Sequence, residues 1–256
     1  VDKQMKKVIE YFVTKQAAAE IYVGTDYKET SISSNVYKII RNCQLQGGLA
    51  IACGDAGIGK TQACRQYYRE HGTNCIYITV NPCIKSSKSV LELIGSKLNV
   101  SSGSVSRLWL EISSKLSDGM VIIVDEAQHL TRNAIDTLRS LCDCFDEKGQ
   151  TLGICFVGNE TTVSRLGGKQ KAEFAQIRNR TKNTRFYSVK QIKKSDIEML
   201  FPDIREDTAA VEFLLCIAQS PQAIRGAVNL YSNALDNGNV TAKGLSAIAK
   251  YMDMAV

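Results

Sequence analysis

The sequence is poor in the residues that mark secreted, membrane-spanning or metal-binding proteins. Of its 256 residues, three are proline, one is tryptophan and two are histidine, and its apolar runs are only strand-sized. A membrane-spanning helix needs about 20 consecutive apolar residues, so we expect no membrane association. The nine cysteines are odd in number, form no C-x-x-C pattern and lie mostly inside apolar runs. We therefore interpret them as small buried residues of a protein in a reducing, cytoplasmic compartment.

From residue 49 onward, short apolar runs alternate with longer segments of helical periodicity. The predicted strands are 49–53, 75–80, 120–124, 152–157 and 184–189, and the predicted helices between them lie near 60–71, 87–99, 104–117 and 131–146. Strands that alternate with helices predict an α/β fold with a parallel sheet flanked by helices. Beyond it, helices near 206–219, 222–236 and 241–253 predict a small all-helical domain.

These patterns divide the chain into three predicted parts. Residues 49–193 form the α/β core, and residues 194–256 form the helical domain. Residues 1–48 are less clear: the apolar pattern over 2–20 favours an amphipathic helix, and 24–34 is expected to be extended or irregular.

The strongest motif begins where the first predicted strand ends. The segment Gly54-Asp55-Ala56-Gly57-Ile58-Gly59-Lys60-Thr61 satisfies the pattern G-x-x-x-x-G-K-[ST] between a strand and a helix. In that context, backbone N–H groups surround phosphates, the lysine reaches the β- and γ-phosphate oxygens, and the threonine hydroxyl binds Mg²⁺. We therefore predict an ATP site with Mg²⁺ that spans Gly54 to Gln62. Asp55 fits such a site only if its carboxylate faces away from the phosphates.

A second motif, Asp125-Glu126, follows the apolar run Val121–Val124. A strand buried on both faces presents polar residues at its carboxyl end, where parallel α/β proteins bind ligands. Asp125 would hold Mg²⁺ through water, and Glu126 would orient and activate the attacking water as general base. Asn159 ends the next predicted strand, and its amide could contact the γ-phosphate or that water. Adjacent acids favour hydrolysis rather than binding alone.

Positive charge is concentrated in one segment of the chain. Residues 165–194 contain ten basic residues and one acidic residue, whereas the whole chain carries a net charge of +6. One interpretation is an arginine finger, Arg178 or Arg180, that reaches the γ-phosphate of a neighbouring subunit. Another is contact with a nucleic-acid backbone, for which Lys169 and Lys171 are candidates, and a third is an ordinary solvated surface.

Two further groups of residues have open interpretations. Lys85, Lys88, Ser104 and Arg107 could contact nucleic-acid phosphates, although Ser104 could equally be a helix N-cap. In the helical domain, Arg225 could reach back to the nucleotide or lie on the surface. Trp109 and Leu110 are expected in the core.

Taken in order, these motifs resemble those of the AAA+ ATPases. The phosphate loop, Asp-Glu-Ala-Gln-His-Leu at 125–130 and Gly-Gly-Lys-Gln-Lys-Ala-Glu-Phe-Ala at 167–175 resemble the MuB family of transposition proteins, to which the regulators TnsC and IstB are related. The resemblance implies an AAA+ core followed by a helical lid, with Asn159 as sensor one, Arg225 as sensor two and Arg180, ahead of Arg178, as the finger.

The resemblance also implies function. It implies an ATPase that binds duplex DNA without sequence specificity, polymerises on it as a helical filament, and delivers target DNA to a transposase in a bacterial or phage-infected cell. Two departures stand out: the family's N-terminal helix-turn-helix domain is not among these residues, and Asp55 and Ala56 replace its more usual Asn and Pro. The alternatives are a helicase-loading or replication-initiation ATPase, and a nucleotide-gated scaffold with negligible turnover.

Overall fold

The computed structural model describes residues 27–162 and 181–254. The strands are β1 (Gly48–Gly54), β2 (Cys75–Thr79), β3 (Met120–Asp125), β4 (Leu152–Gly158) and β5 (Thr181–Tyr187). The helices of the core are α1 (Ser31–Gln46), α2 (Lys60–His71), α3 (Ser87–Lys97), α4 (Val105–Lys115) and α5 (Arg132–Asp146). The helices that follow are α6 (Lys194–Leu200), α7 (Thr208–Ala218), α8 (Ala223–Asp236) and α9 (Ala242–Tyr251).

The strands form a parallel sheet in the order β2-β3-β4-β1-β5. Its register aligns the carboxyl ends of neighbouring strands: Thr79 pairs with Asp125, Cys53 with Gly158, and Gly54 with Tyr187. Strand β3 is buried along its whole length, as expected for a strand covered on both faces. Side chains that follow these strands therefore meet at one edge of the sheet.

Two hydrophobic cores lie on opposite faces of the sheet. Alternate residues of β1 enter different cores, with Ala50 and Ala52 in one and Leu49 and Ile51 in the other. Helices α1 and α2 cover the first face together with the C-terminal helices, and α3, α4 and α5 cover the second. Of the nine cysteines, Cys83 and Cys216 are exposed and Cys144 is partly exposed, whereas the other six are buried.

The C-terminal helices are tied to the start of α1 by a buried carboxylate. Asp196 in α6 is 2% exposed and accepts hydrogen bonds from Ser31 N (2.6 Å), Ser31 Oγ (2.7 Å) and Lys193 N (2.9 Å). Charged hydrogen bonds of this kind contribute about 1.5–3 kcal/mol each. The carboxylate therefore fixes the small helical unit against the α/β core. Within the described ranges, no helix is both long enough and apolar enough to span a membrane.

The structure corrects three sequence-based expectations. Helix α1 begins at Ser31, so the expectation of an extended or irregular segment through residue 34 is wrong. Thr30 caps the helix, and the burial of Ile32 and Val36 outweighs the low helix propensity of the serines in its first turn. Strand β5 lies three residues earlier than expected at its start, and a 3₁₀ turn occupies Val189–Gln191. Helix α6 was not predicted. The expected helix at 2–20 lies outside the described residues.

Candidate nucleotide-binding site

The predicted phosphate loop connects β1 to α2, and its backbone depends on glycine at two positions. Gly57 and Gly59 have φ angles of 77° and 98°, a region that side chains disfavour. Gly59 is also the N-cap of α2, where it has no side chain to bond the first N–H groups of the helix. These N–H groups and the helix dipole therefore remain available to an anion.

Lys60 lies at the start of α2 and turns back over the loop. Its Nζ donates hydrogen bonds to the carbonyl oxygens of Gly54 (2.9 Å) and Asp55 (2.6 Å). Burial lowers the pKa of the Lys60 ammonium, and the carboxylates of Asp125 and Glu126 act in the opposite direction. A cation that is partly desolvated and close to two acids is suited to bind phosphate oxygens.

The carboxylate of Asp55 faces away from the interior of the loop. Its Oδ2 accepts a hydrogen bond from Val189 N (2.8 Å), and its backbone N–H donates to Tyr187 O (3.0 Å). A side chain at Gly54 would lie 2.1 Å from the same Tyr187 oxygen, so the loop contacts the end of β5 directly. Asp55 thus acts as an anchor between the phosphate loop and β5, where its charge does not oppose an anion.

The remaining loop positions differ in their surroundings. Ile58 is fully buried and fixes the loop to the core, whereas the side chains of Ala56 and Gln62 are exposed. Any contact of Ile58 with phosphate would therefore come from its backbone.

Asp125 ends β3 beside this loop and is 2% exposed. Its carboxylate accepts hydrogen bonds from Tyr77 Oη (2.9 Å) and from Glu126 N (3.0 Å), and the nearby Thr61 hydroxyl also favours its charged form. Burial raises the pKa of the Asp125 carboxyl, and these hydrogen bonds oppose the rise. A buried carboxylate beside a threonine hydroxyl forms a compact set of oxygen ligands.

This set fits Mg²⁺, which prefers oxygen ligands and is usually held by one or two carboxylates together with substrate phosphates. Thr61 and Asp125 are the residues that would hold the ion. Within residues 27–162 and 181–254, no three His, Cys, Asp or Glu side chains converge as a metal site. A magnesium ion here would complete its coordination with phosphate oxygens and water.

The raised pKa of Asp125 predicts a stability effect. A carboxyl whose pKa is raised by folding contributes stability at low pH and loses it as pH rises from about 4 through the folded pKa. Without nucleotide or Mg²⁺, Asp125→Asn should therefore increase the free energy of unfolding at pH 7, by about 1 kcal/mol if it behaves as other functional-site substitutions do.

Urea denaturation at pH 4 and pH 7 measures this effect, and the gain should shrink at the lower pH. The exposed Asp236 provides a control, since Asp236→Asn should change little at either pH. If Asp125→Asn were no more stable than the unchanged chain at pH 7, the electrostatic assignment of Asp125 would be wrong.

Glu126 and Asn159 follow the neighbouring strands β3 and β4. The side chain of Glu126 is exposed, and its backbone is left-handed, with φ of 58°. Asn159 Oδ1 accepts hydrogen bonds from Thr161 N (3.0 Å) and Thr161 Oγ1 (2.6 Å). The amide nitrogen of Asn159 is then the group with which this residue can approach a phosphate or a water molecule.

Helix α8 contacts the phosphate loop from the C-terminal helical unit. The backbone N–H of Arg225 donates to Gly57 O (3.2 Å), and a side chain at Gly57 would lie 3.2 Å from the Cβ atoms of both Ala223 and Arg225. Ala223 has a positive φ of 56°, which is strained for a residue with a side chain. The backbone of Arg225 thus contacts the loop directly, while its side chain is exposed.

The segment before α1 also borders the loop. Thr30 Oγ1 and Ser33 Cβ lie 3.8 and 3.9 Å from the position of a Cβ on Gly59, and Tyr27 Oη donates to Ser33 Oγ (3.1 Å). The sequence does not indicate this contribution, because hydroxyl side chains in a segment that is expected to be irregular could lie anywhere on the surface.

Two residues inside the site were also missed. Tyr77 donates to Asp125 from β2, and Gln128 bonds both Glu126 and the backbone of Asn159. Tyr77 lies two residues before Thr79, which ends β2. Its role would be visible in the sequence only if β2 were known to lie beside β3. Gln128 lies in the segment Asp-Glu-Ala-Gln at 125–128, in which the sequence predicts a role only for the two acids.

The candidate DNA-contacting residues lie at the beginnings of α3 and α4. Lys115 Nζ near the end of α4 donates to Leu98 O (2.9 Å) beyond α3, and Ile112 packs beside Gly95. These contacts indicate that the two helices run in a similar direction, so their N-termini lie on one side.

At that side, Lys85, Lys88 and Arg107 are exposed. Lys88 lies 3.9 Å from Glu92 and Arg107 lies 2.6 Å from Glu111, while the Ser104 side chain caps α4 by accepting a hydrogen bond from Arg107 N.

The expectation that Leu110 is a core residue is wrong, since it is 61% exposed. Trp109 is partly buried and donates a hydrogen bond to Ser140 Oγ (2.9 Å). Lys169, Lys171, Arg178 and Arg180 lie outside the described residues.

The sequence aligns with those of known proteins over most of its length. Residues 43–166 match the family model of the AAA domain. The chain is 27% identical to the ATP-dependent target DNA activator B of Escherichia phage Mu over 252 residues, 95% of this chain and 76% of that protein. It is 28% identical to DNA transposition protein B of the Mu-like prophage FluMu of Haemophilus influenzae, over 88% of this chain and 79% of that protein.

Solved structures share the fold at lower sequence identity. The RuvB Holliday junction branch migration motor of Thermotoga maritima has a TM-score of 0.54 and 16% identity, covering 86% of this chain and 68% of that one. The ORC1 protein of Aeropyrum pernix in complex with DNA has a TM-score of 0.60 and 14% identity, covering 90% and 67%. The parallel sheet and the phosphate loop are those of the AAA+ P-loop NTPase fold, and the sequence is similar to the Mu B transposition proteins over most of its length.

Proposed function

We propose that this protein is an ATP-dependent, non-sequence-specific DNA-binding ATPase that acts in DNA transposition. The observation that carries the proposal is the convergence of Lys60, the Thr61–Asp125 pair and Glu126 at one sheet edge. It occurs in a chain that aligns over 95% of its length with a protein named a target DNA activator.

ATP hydrolysis follows from the positions of these groups. The loop N–H groups and Lys60 would bind the phosphates, and Mg²⁺ on Thr61 and Asp125 would neutralise charge that develops on them. Glu126, exposed beside the bound phosphates, would accept a proton from the attacking water, and the Asn159 amide would orient that water or the γ-phosphate. Turnover is expected to be slow and to rise on assembly, DNA binding or contact with the transposase.

Assembly would complete the site. Arg178 or Arg180 would reach the γ-phosphate bound by a neighbouring subunit, which would couple hydrolysis to a helical filament or ring of identical chains. The contact between α8 and the phosphate loop supports a role for Arg225 in linking the helical lid to the nucleotide state.

Duplex DNA would bind along exposed basic side chains. Lys85, Lys88, Ser104 and Arg107 surround the N-termini of two helices, which favour anions. Lys169 and Lys171 are further candidates for phosphate contacts. Exposed ion pairs such as Arg107–Glu111 contribute little to stability, because solvent screens them, and can exchange for phosphate contacts. In the proposed cycle, the filament selects target DNA, delivers it to the transposase in a bacterial or phage-infected cell and stimulates strand transfer.

Fluorescence anisotropy with labelled duplex DNA tests this proposal. Affinity should require ATP or a slowly hydrolysed analogue and should fall about 10³-fold or more between 50 and 200 mM salt if at least six phosphates are contacted. A Lys85→Ala/Lys88→Ala variant should weaken binding to all sequences equally and reduce the salt slope by about two.

Lys97→Ala is the matched control, since Lys97 is exposed at the opposite end of α3. Binding that ignores salt, or that does not occur with nucleotide present, would contradict the proposal. A helicase-loading ATPase would instead retain a replicative helicase in a pull-down and ignore transposase.

A further inference from the structure

The side chain of Gln128 joins the two strands that carry the catalytic groups. Its Nε2 donates a hydrogen bond to Glu126 Oε2, and its Oε1 accepts one from Asn159 N (3.3 Å). Gln128 lies in the 3₁₀ turn that follows β3, whereas Asn159 follows β4. A single amide therefore connects the predicted base to the end of the adjacent strand.

The backbone around Glu126 gives this amide its position. Glu126 adopts a left-handed conformation, which is uncommon for residues other than glycine, and the turn closes with His129 N donating to Glu126 O (3.0 Å). Ala127 and Leu130 are buried under the turn. The turn is thus anchored to the core, while the side chain of Glu126 is exposed.

The end of β4 has room for the carbonyl group of Gln128 because residue 158 is glycine. A Cβ on Gly158 would lie 2.4 Å from Gln128 Oε1 and 2.3 Å from Thr162 Oγ1. Any side chain at this position would displace the amide. The glycine, the turn and the Asn159 N–H together hold Gln128 in one orientation.

We propose that Gln128 is a positioning residue for Glu126, an inference that rests on the proposed hydrolytic function. A neutral amide restrains one oxygen of the Glu126 carboxylate without protonating it, so the other oxygen keeps its ability to accept a proton from water. Because the same amide is bonded at Asn159, a shift of the β4 end when Asn159 contacts the γ-phosphate would move the base as well. Gln128 need not touch the nucleotide to have this effect.

Two substitutions separate the two bonds of this amide. Gln128→Glu keeps the length of the side chain and an acceptor for Asn159 N–H, but it replaces the donor with an oxygen that repels Glu126. Gln128→Met keeps a similar volume and removes both hydrogen bonds. Each should lower kcat for ATP about 10- to 100-fold, the loss that misplacement of a catalytic group produces. The KM for ATP and the affinity for a fluorescent ATP analogue should change less than twofold. The midpoint of urea unfolding should stay close to that of the unchanged chain.

A double-mutant cycle gives a result that a purely structural role would not. If Gln128 acts through Glu126, Glu126→Gln/Gln128→Met should be no slower in single-turnover hydrolysis than Glu126→Gln alone. Three results would overturn the inference. Gln128→Met could slow hydrolysis by the same factor in the unchanged chain and in Glu126→Gln, both Gln128 variants could keep the kcat of the unchanged chain, or nucleotide affinity could fall in parallel with kcat. If the unchanged chain hydrolyses ATP and Glu126→Gln does not, those results count against Gln128 alone; absence of hydrolysis in the unchanged chain would overturn the proposed function itself.

Discussion

Glu126→Gln should lower kcat for ATP by about 10²–10⁴-fold, the contribution typical of a general base. The substitution preserves the size of the side chain at an exposed position next to Asp125, so the loop, Lys60 and the Thr61–Asp125 pair should still bind nucleotide. The KM for ATP should stay within a few-fold. Because hydrolysis would normally end DNA binding, complexes of the variant with ATP and duplex DNA should persist longer than those of the unchanged chain.

Steady-state ATPase assays and DNA dissociation rates measure these two effects. Glu147→Gln, an exposed substitution at the end of α5, is the control that should alter neither. An unchanged complex lifetime together with negligible turnover in the unchanged chain would favour the nucleotide-gated scaffold instead.

Lys60→Ala should reduce nucleotide affinity at least tenfold and abolish ATP-dependent DNA binding. A charged hydrogen bond contributes about 1.5–3 kcal/mol, and about 1.4 kcal/mol corresponds to a factor of ten in affinity. In the structure the Lys60 ammonium bonds two carbonyl oxygens of the loop, so its removal also frees Gly54 O and Asp55 O.

Titration of a fluorescent ATP analogue, followed by DNA anisotropy, checks this prediction. Circular dichroism should show that the fold is retained, and Lys250→Ala on the exposed end of α9 should behave as the unchanged chain. Full nucleotide affinity in Lys60→Ala would mean that the phosphates bind elsewhere.

Sequence patterns predicted the elements whose physical cause is local. Helix α2 spans Lys60–His71 as expected, since the loop glycines fix its start, and β3 was evident from four consecutive β-branched residues before Asp125. Helix α1 was less visible at its start because Ser31, Ser33 and Ser34 are weak helix formers, and its stability comes from packing on the sheet.

The parts of the site that were not predicted depend on contacts between distant segments. Tyr77 reaches Asp125 only because β2 and β3 are neighbours, and Asp55 turns to Val189 only because β5 lies beside β1. Gln128 meets Asn159 across strands β3 and β4. Leu110 was assigned to the core from its apolar character alone, which cannot tell which side of a helix faces solvent.

Electron microscopy of the protein with a slowly hydrolysed ATP analogue, with and without duplex DNA, tests the central claim most directly. The account predicts ordered helical assemblies on DNA in which an arginine from one subunit approaches the nucleotide of the next. Particles that remain single chains and leave the duplex bare at saturating analogue would contradict it.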